Sequence, residues 1–140
     1  PFIVAWHDNV KPGISDAFIS QIDLFPTLAE LVGAEVPGGL DGQPMEDVLV
    51  GKSKDGRKDM IIEAQGRLAY KYGDHVLIPP YSGNRTNETG NELGNVPDWA
   101  LFNLAEDPAQ NNNIAYGDTM LLNHLKIMFE KTKHQSEKYE

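Results

Sequence analysis

Three short segments rich in β-branched and aromatic residues follow one another between residues 60 and 78, with only short turns between them. They read MIIEA, LAYKY and VLI, and the turns are Gln65-Gly66 and Gly73-Asp74. Short runs of this type with glycine-containing turns between them predict antiparallel hairpins. A fourth such segment, ALFNL, begins at Ala100, so we expect a small antiparallel sheet of about four strands.

The strongest helical pattern comes after the fourth segment and runs from Thr119 to about Lys133. Asp118 stands where an N-cap residue is expected. The apolar residues recur at helical spacing and form one stripe, made of Leu121, Leu122, Leu125, Met128 and Phe129. We therefore expect a long C-terminal helix that covers one face of the sheet, which together make an α+β fold.

A shorter helical pattern, IDLFPTLAELVG, occupies residues 22–33 and contains a proline. If Asp23 is the N-cap, Pro26 falls in the first turn, where its missing N–H would have no helical partner anyway. We expect the Asp23 carboxylate to accept hydrogen bonds from the first-turn N–H groups. Gly33 fits a left-handed stop. One apolar face is predicted, made of Leu24, Leu28, Leu31 and Val32.

The opening run PFIVAW has the composition of a buried strand, yet no other segment of the chain is an evident partner for it. Apolar strands of this kind are normally flanked by other strands. We therefore expect residues 1–50 to be the end of a larger α/β domain whose sheet is mostly absent from these residues. Residues 51–140 are then expected to form a separate subdomain with the small sheet and the long helix.

The charge balance limits the partners. The 140 residues include 12 Lys and Arg against 21 Asp and Glu, a formal net charge of −9. We therefore expect no nucleic-acid partner and, since no run is long enough to span a bilayer, no membrane partner. The chain contains no cysteine, which excludes a disulfide framework, a thiolate metal site and a cysteine nucleophile within these residues.

No stretch matches a phosphate-binding loop, a nucleophile elbow or a zinc motif, so we predict no catalytic and no metal-binding residue. His7 and His75 lie at the ends of predicted strands beside turns, where sites are often built. Lys71 lies within a strand, which fixes the direction of its side chain. These three residues are the candidate contacts to a substrate.

Two further stretches have an uncommon composition. A dense basic cluster is predicted to be a solvated loop, with a contact to an anion as the alternative; it consists of Lys52, Lys54, Arg57 and Lys58. Residues 79–98 link the third and fourth strands and have almost no apolar content. A connection of that length within a compact domain is usually functional or mobile.

Four stretches, in order, resemble the C-terminal portion of the type I sulfatases, the formylglycine-dependent arylsulfatase family of the alkaline phosphatase superfamily. PFIVAWHDNVKPG is similar to the family's PFIVRWPGKVKPG. SQIDLFPTLAELVGAEVPGGLDGQPM resembles its proline-threonine helix and the LDG segment that follows. LAYKYGDHVLIPP and ALFNLAEDPAQNNNIA are similar to LALRYGDWKYIPP and LYNLKDDPGEQNNLA. Together the four stretches span nearly the whole chain.

The resemblance implies that the parent protein hydrolyses sulfate esters, with sulfated carbohydrate as the expected substrate. In the family, a formylglycine made from a C/S-x-P-x-R motif attacks sulfur, and a calcium ion stabilises the transferring oxygens. This chain has neither the motif nor the metal ligands, so the resemblance implies that it binds no cofactor and is not catalytic alone. It also implies a missing N-terminal sulfatase domain as partner and a periplasmic or secreted location in a bacterium.

Two alternatives remain. One is the C-terminal region of a related phosphodiesterase or phosphonate hydrolase, which the residue at the missing nucleophile position would reveal. The other is a stand-alone glycan-binding module, which would be a stable and monodisperse protein that binds a glycan without metal. On the main interpretation, the chain supplies one wall of the substrate cleft through Lys71, His75 and His7, and the loop from Tyr81 to Asp98 also grips the glycan.

Overall fold

A computed structural model describes residues 2–64 and 66–136 of the chain. The chain divides into two compact units, Pro1–Lys58 and Asp59–Glu140. The first unit contains two short helices, and the second contains a sheet and a long helix. No helix among the described residues is long and apolar enough to cross a membrane.

The helices of the first unit begin and end where local sequence signals place them. A 3₁₀ turn at Gln21–Asp23 leads into α1 (Leu24–Leu31), and α2 (Glu46–Leu49) follows after an irregular segment. Pro26 is buried in the first turn of α1, which confirms its predicted place at a helix start. Gly33 has a φ of +67°, which confirms the left-handed stop.

The side of α1 that is enclosed within the first unit carries polar groups. Asp23 and Thr27 are buried together with Pro26. On the predicted apolar face, Leu28 and Val32 are 53% and 79% exposed. The described residues therefore pack against the polar side of this helix and leave most of its apolar side uncovered.

Residues 2–6, for which the sequence predicts a strand, form no ladder with any described residue. Phe2 and Ile3 are exposed. A strand is defined by its hydrogen bonds to a neighbouring strand. The segment therefore remains irregular, since the described part of the chain offers it no such neighbour.

The second unit contains the predicted antiparallel sheet. Its four strands lie in the order β1-β2-β3-β4, with β1 at Asp59–Ala64, β2 at Arg67–Tyr72, β3 at His75–Ile78 and β4 at Ala100–Asn103. Gly66 and Gly73 in the two tight turns have φ values of +75° and +53°, which glycine adopts without strain. Gln65, the other residue of the first predicted turn, lies outside the described residues.

The strand register defines a core face and an opposite face. Tyr70 lies opposite Leu77, and Leu77 lies opposite Leu101. All three side chains are fully buried. The predicted C-terminal helix, α3 (Thr119–Ser136), covers this face and is confirmed. Its buried contacts are Leu122, Leu125 and Phe129, with Leu121 and Met128 partly buried beside them.

A buried polar contact links the sheet to α3. The Tyr70 hydroxyl donates a hydrogen bond of 2.6 Å to the Asp59 carboxylate, and the Thr132 hydroxyl donates one of 3.1 Å to the same oxygen. Burial, together with the neighbouring Asp59 carboxylate, raises the pKa of Tyr70. The phenol therefore stays protonated and donates to Asp59, and the Asp59 carboxylate of β1 connects Tyr70 of β2 with Thr132 of α3.

The connection between β3 and β4, residues 79–98, is a folded hairpin, and we call it the connecting hairpin. The Tyr81 N–H donates to the Val96 carbonyl, and the Leu93 N–H donates to the Arg85 carbonyl, each at 2.8 Å. These bonds join the two arms near the base and further out. The long polar connection is thus held by its own hydrogen bonds.

Candidate functional site

His7 lies in an exposed turn of the first unit. The N–H groups of Asn9 and Val10 close the turn by donating to the Trp6 carbonyl at 3.1 and 3.0 Å. The His7 side chain is 96% exposed, and its Nε2 lies 3.5 Å from the Asp8 carboxylate. The imidazole is therefore accessible to a ligand without any opening of this unit.

Lys71 and His75 belong to the second unit and lie on opposite faces of the β2–β3 hairpin. Lys71 pairs with Val76, whereas His75 pairs with Tyr72. Adjacent pairs in a ladder point to opposite faces. His75 therefore shares the face of the core. The Lys71 ammonium bends to the turn and donates to the Gly73 carbonyl.

The two side chains can share one ligand only at the turn end of this hairpin. There the Lys71 ammonium reaches Gly73, and His75 begins β3 two residues later. A ligand that lies flat on either face of the sheet would contact one of them and be screened from the other. A ligand that contacts both Lys71 and His75 would therefore bind at the turn end of this hairpin.

The closest ion pair of the first unit was missed by the sequence interpretation. The Arg57 guanidinium grips the Asp23 carboxylate, with Nε 2.7 Å from Oδ2 and Nη2 2.5 Å from Oδ1. Their side chains are 5% and 2% exposed. Arg57 is therefore not part of a solvated basic cluster or an anion site. Of the other members, Lys52 is exposed and lies 3.8 Å from Asp47.

The Asp23 carboxylate does not cap the first turn of α1, so that prediction is wrong. It accepts hydrogen bonds of 2.8 Å from the N–H groups of Ser20 and Gln43, in addition to those from Arg57. Burial alone would raise the pKa of Asp23, but these hydrogen bonds outweigh it and lower the pKa below its ordinary value of 3.8. The carboxylate is thus bound by Arg57 and by two backbone N–H groups that lie outside α1.

Two glycines let the surrounding loops approach α1 and its flank. A Cβ on Gly42 would lie 2.2 Å from the Ile22 carbonyl oxygen, and one on Gly56 would lie 2.3 Å from the Phe18 carbonyl oxygen. Neither position can take a side chain without movement of the backbone. The glycines of the LDG and DGR stretches are thus required for the packing around Asp23.

An open groove of about 640 Å³, lined by both apolar and polar groups, lies in the first unit. The opening run forms one side of it and α2 the other. Its apolar lining includes Phe2, Ile3, Val4, Val48 and Leu49. The groove thus adds to the apolar surface that the described residues leave uncovered.

A second cluster lies at the base of the connecting hairpin. The Arg67 guanidinium carbon lies 5.2 Å from the centroid of the Tyr81 ring, and Tyr81 is 42% exposed. Nearby, Asn95 is buried and its Nδ2 donates to the Asn84 carbonyl. Its Oδ1 accepts no hydrogen bond from the described residues. The sequence identified this stretch by length and polarity alone.

The asparagine-rich stretch after β4 has a structural role. The Asp107 carboxylate accepts hydrogen bonds from the N–H groups of Asn111 and Asn112 at 3.1 and 2.7 Å. The Asn113 side-chain oxygen accepts from the N–H groups of Leu101 and Ala115, each at 3.0 Å. The hydrogen bond from Leu101 joins the outer edge of β4 to the chain that leads into α3.

A metal-binding group is not found in residues 2–64 and 66–136. No three His, Asp or Glu side chains come together there in a way that could hold an ion.

Comparison with known proteins identifies the family. The model of the N-sulphoglucosamine sulphohydrolase C-terminal family matches residues 1–138. An N-acetylgalactosamine-6-O-sulfatase of Bacteroides thetaiotaomicron is 32% identical over 137 residues, which cover 95% of this chain and 27% of that protein. Arylsulfatase A of Bos taurus is 30% identical over 129 residues, covering 81% and 25%. The chain spans about a quarter of the length of these relatives.

Solved structures agree with this match. A Bacteroides thetaiotaomicron structure, described in connection with the metabolism of multiple glycosaminoglycans, has a TM-score of 0.89 and 32% identity. The alignment covers 96% of this chain and 29% of that one. A sulfatase from Pseudoalteromonas sp., at 18% identity and a TM-score of 0.61 over 84% of this chain and 26% of that one, shares the fold. The resemblance found in the sequence is thus confirmed, and the chain belongs to the sulfatases, within the family defined by the C-terminal region of N-sulphoglucosamine sulphohydrolase.

Proposed function

We propose that this chain is the C-terminal region of an enzyme that hydrolyses sulfate esters of carbohydrates, and that it forms one wall of the substrate cleft. The match of the family model over residues 1–138 carries this proposal. The relative from Bacteroides thetaiotaomicron, named as an N-acetylgalactosamine-6-O-sulfatase, supports a sulfated amino sugar as the substrate.

The partner of the first unit is the N-terminal domain of the same sulfatase. Three features support this: the unpaired opening run, the apolar residues that line the groove beside it, and the exposed apolar side of α1. Monomeric proteins rarely leave large apolar surfaces exposed to water. A domain that adds strands beside residues 2–6 would also satisfy their backbone donors and acceptors.

The reactive groups are supplied by that partner domain. The described residues hold no group of three His, Asp or Glu side chains that could bind a metal ion, and the sequence has no C/S-x-P-x-R motif from which formylglycine could be made. The chain's own contribution is to bind and orient the sugar. Ordered contacts of this kind accelerate a reaction by holding the substrate in a reactive position.

Lys71, His75 and His7 are the proposed substrate contacts. The Lys71 ammonium at the β2–β3 turn is placed to attract the anionic sulfate of a sugar. His75 adjoins the same turn, and His7 is an exposed donor and acceptor in the first unit. We place the whole enzyme outside the cytoplasm, in the periplasm or secreted, and cell fractionation of the source bacterium tests that location.

The test is to assay the full-length parent, with formylglycine installed, on a panel of sulfated sugars and aryl sulfates. We expect desulfation of a sulfated sugar, and a higher KM for Lys71→Met and for His75→Ala. Lys131→Met, an exposed lysine on α3, is the control and should match the parent. Hydrolysis of phosphate diesters without any desulfation would favour the phosphodiesterase alternative and overturn the proposal.

A further inference from the structure

We propose that the base of the connecting hairpin binds an acidic sugar residue, with the Tyr81 ring as the stacking surface and the Arg67 guanidinium as the contact to the anionic group. This inference rests on the proposed function for the class of ligand. Its residues differ from Lys71, His75 and His7, and it can fail while the proposed function stands.

The connecting hairpin is a long connection that is held in shape by its own hydrogen bonds. The other two connections of the sheet are tight turns, whereas this one occupies residues 79–98. The Tyr81–Val96 hydrogen bond closes its base, and Arg85 and Glu92 form an ion pair of 3.2 Å further out. Long connections that are kept ordered in this way commonly carry a binding function.

Arg67 and Tyr81 form a preorganised pair. Arg67 opens β2, and the alternation along that strand places it on the face opposite to Tyr70. Its guanidinium carbon lies over the Tyr81 ring, 5.2 Å from the ring centroid, which is within the range of a cation–π contact. A guanidinium has five N–H donors in a planar fork that matches sulfate and carboxylate oxygens.

Gly83 fixes the position of the tyrosine ring. A Cβ at this residue would lie 3.0 Å from Asn95 Nδ2 and 3.2 Å from Tyr81 Cε1. A side chain at residue 83 would crowd the Tyr81 ring and the Asn95 amide, so glycine fits best between them. Asn95 is buried and bonded to the Asn84 carbonyl, whereas Tyr81 is 42% exposed.

The surface around this pair suits a sugar better than a protein. The outer part of the hairpin presents exposed polar side chains: Thr86, Asn87, Thr89 and Asn91. Asn87, Thr89 and Asn91 hydrogen-bond one another, and amides and hydroxyls in such a network keep further donor or acceptor capacity for a sugar hydroxyl. Arg85 is paired with Glu92 in an exposed ion pair. The apolar face of a sugar ring can also pack against the exposed Tyr81 ring.

The test is a titration of the 140-residue chain followed by amide NMR. The probes are N-acetylgalactosamine 6-sulfate, its unsulfated form, glucuronic acid and inorganic sulfate. We expect the sulfated sugar to shift the amides of Arg67 and of residues 81–96, and glucuronic acid to shift the same amides if a carboxylate serves as well. No shifts there at about 10 mM sulfated sugar, or equal affinity for inorganic sulfate alone, would overturn the inference.

Matched variants separate the two contacts from general effects. Tyr81→Ala and Arg67→Gln should each weaken the binding of the sulfated sugar about tenfold, the value of one charge-assisted or stacking contact. Tyr81→Phe keeps the ring and should bind as before. Tyr116→Ala removes a tyrosine that is 67% exposed elsewhere in the unit, and Arg85→Gln removes the neighbouring cation. Both should leave binding unchanged.

The parent enzyme distinguishes this inference from the proposed function. Tyr81→Ala there should raise KM for a sulfated oligosaccharide and leave kcat unchanged, with the unfolding temperature as a check of the fold. Desulfation that is unaffected by Tyr81→Ala, with no shifts in the titration, would overturn the inference alone. Sugar binding at the hairpin in a parent that desulfates nothing would overturn the proposed function alone.

Discussion

Asp23 and Arg57 bring opposite charges into the interior of the first unit, and each depends on the other. Taking an ion out of water costs several kcal/mol unless a well-placed partner offsets it. Here the guanidinium meets both carboxylate oxygens, and backbone N–H groups of Ser20 and Gln43 occupy the remaining acceptor positions. The pair joins residues 34 positions apart in the sequence and so holds the loop before β1 against α1.

We expect Arg57→Met to destabilise the first unit by about 3–5 kcal/mol, because it leaves the Asp23 carboxylate buried without its cation. Protection of the Gln43 and Met45 amides against hydrogen exchange measures the effect within this unit. Arg85→Met is the matched control, since its ion pair with Glu92 is exposed and should cost less than about 1 kcal/mol. Equal effects of the two substitutions would contradict the prediction.

The same carboxylate makes the stability of the first unit sensitive to acid. The folded-state pKa of Asp23 is lowered from 3.8, so its contribution is fully present above that pH and is lost as the pH falls through the folded-state value. We expect the unfolding free energy to decrease below about pH 4, and less steeply in Asp23→Asn. Parallel pH profiles of the two proteins, measured by denaturant unfolding, would show that another group is responsible.

At the scale of the element, the second unit is held together by contacts between neighbouring segments. Gly66 and Gly73 allow the tight turns, and the alternation in β2 directs Tyr70 to the face that α3 covers. Asp59 adds a polar contact to this apolar packing. A buried acceptor of this type specifies which strands and which helix turn meet, because leaving it unpaired is costly.

Tyr70→Phe tests the link between β1, β2 and α3. It removes one of the two side-chain donors to the Asp59 carboxylate, and we expect a loss of about 1–3 kcal/mol in the unfolding free energy of the second unit. Urea unfolding followed by helix circular dichroism provides the measurement. Tyr116→Phe removes an exposed hydroxyl and serves as the control, with no change expected beyond about 0.5 kcal/mol.

At the scale of the whole molecule, the two units leave different surfaces in water. The sheet and α3 enclose an apolar core of their own. The first unit instead encloses an ion pair and leaves apolar side chains of α1 and of the opening run exposed. The chain spans about a quarter of its relatives' length, and the exposed apolar residues of the first unit fit the proposed contact with a further domain.

Charged residues on the exposed apolar side of α1 should reduce the self-association of this chain without lowering its unfolding free energy. Because Leu28 and Val32 are largely exposed, we expect the pair of substitutions Leu28→Glu and Val32→Glu to change the unfolding free energy by no more than about 1 kcal/mol. Binding of a hydrophobic dye and self-association in analytical ultracentrifugation should both decrease. In the full-length parent the same substitutions should instead be destabilising, and the opposite pattern would contradict the proposed domain contact.

Much of the second unit could be predicted because its signals are local. The alternation in LAYKY, the glycines of the turns and the spacing from Leu121 to Phe129 act between residues two to four positions apart. Asp118 likewise acts locally: its carboxylate accepts a hydrogen bond of 2.9 Å from the Leu121 N–H, as expected of an N-cap. The family resemblance also needed the sequence alone, since it depends on the order of four stretches.

Only the tertiary structure decided which partners distant residues take. Asp23 does stand at the start of α1, as the sequence predicts, but its carboxylate binds Arg57 and not the first turn of the helix. The solvated basic run predicted around Arg57 is wrong for the same reason, because the two residues meet across 34 positions. The pairing of Arg67 with Tyr81 also depends on a hairpin that folds back to β2. Contacts of this kind arise when chain closure and desolvation favour one partner among many, and no spacing in the sequence records that choice.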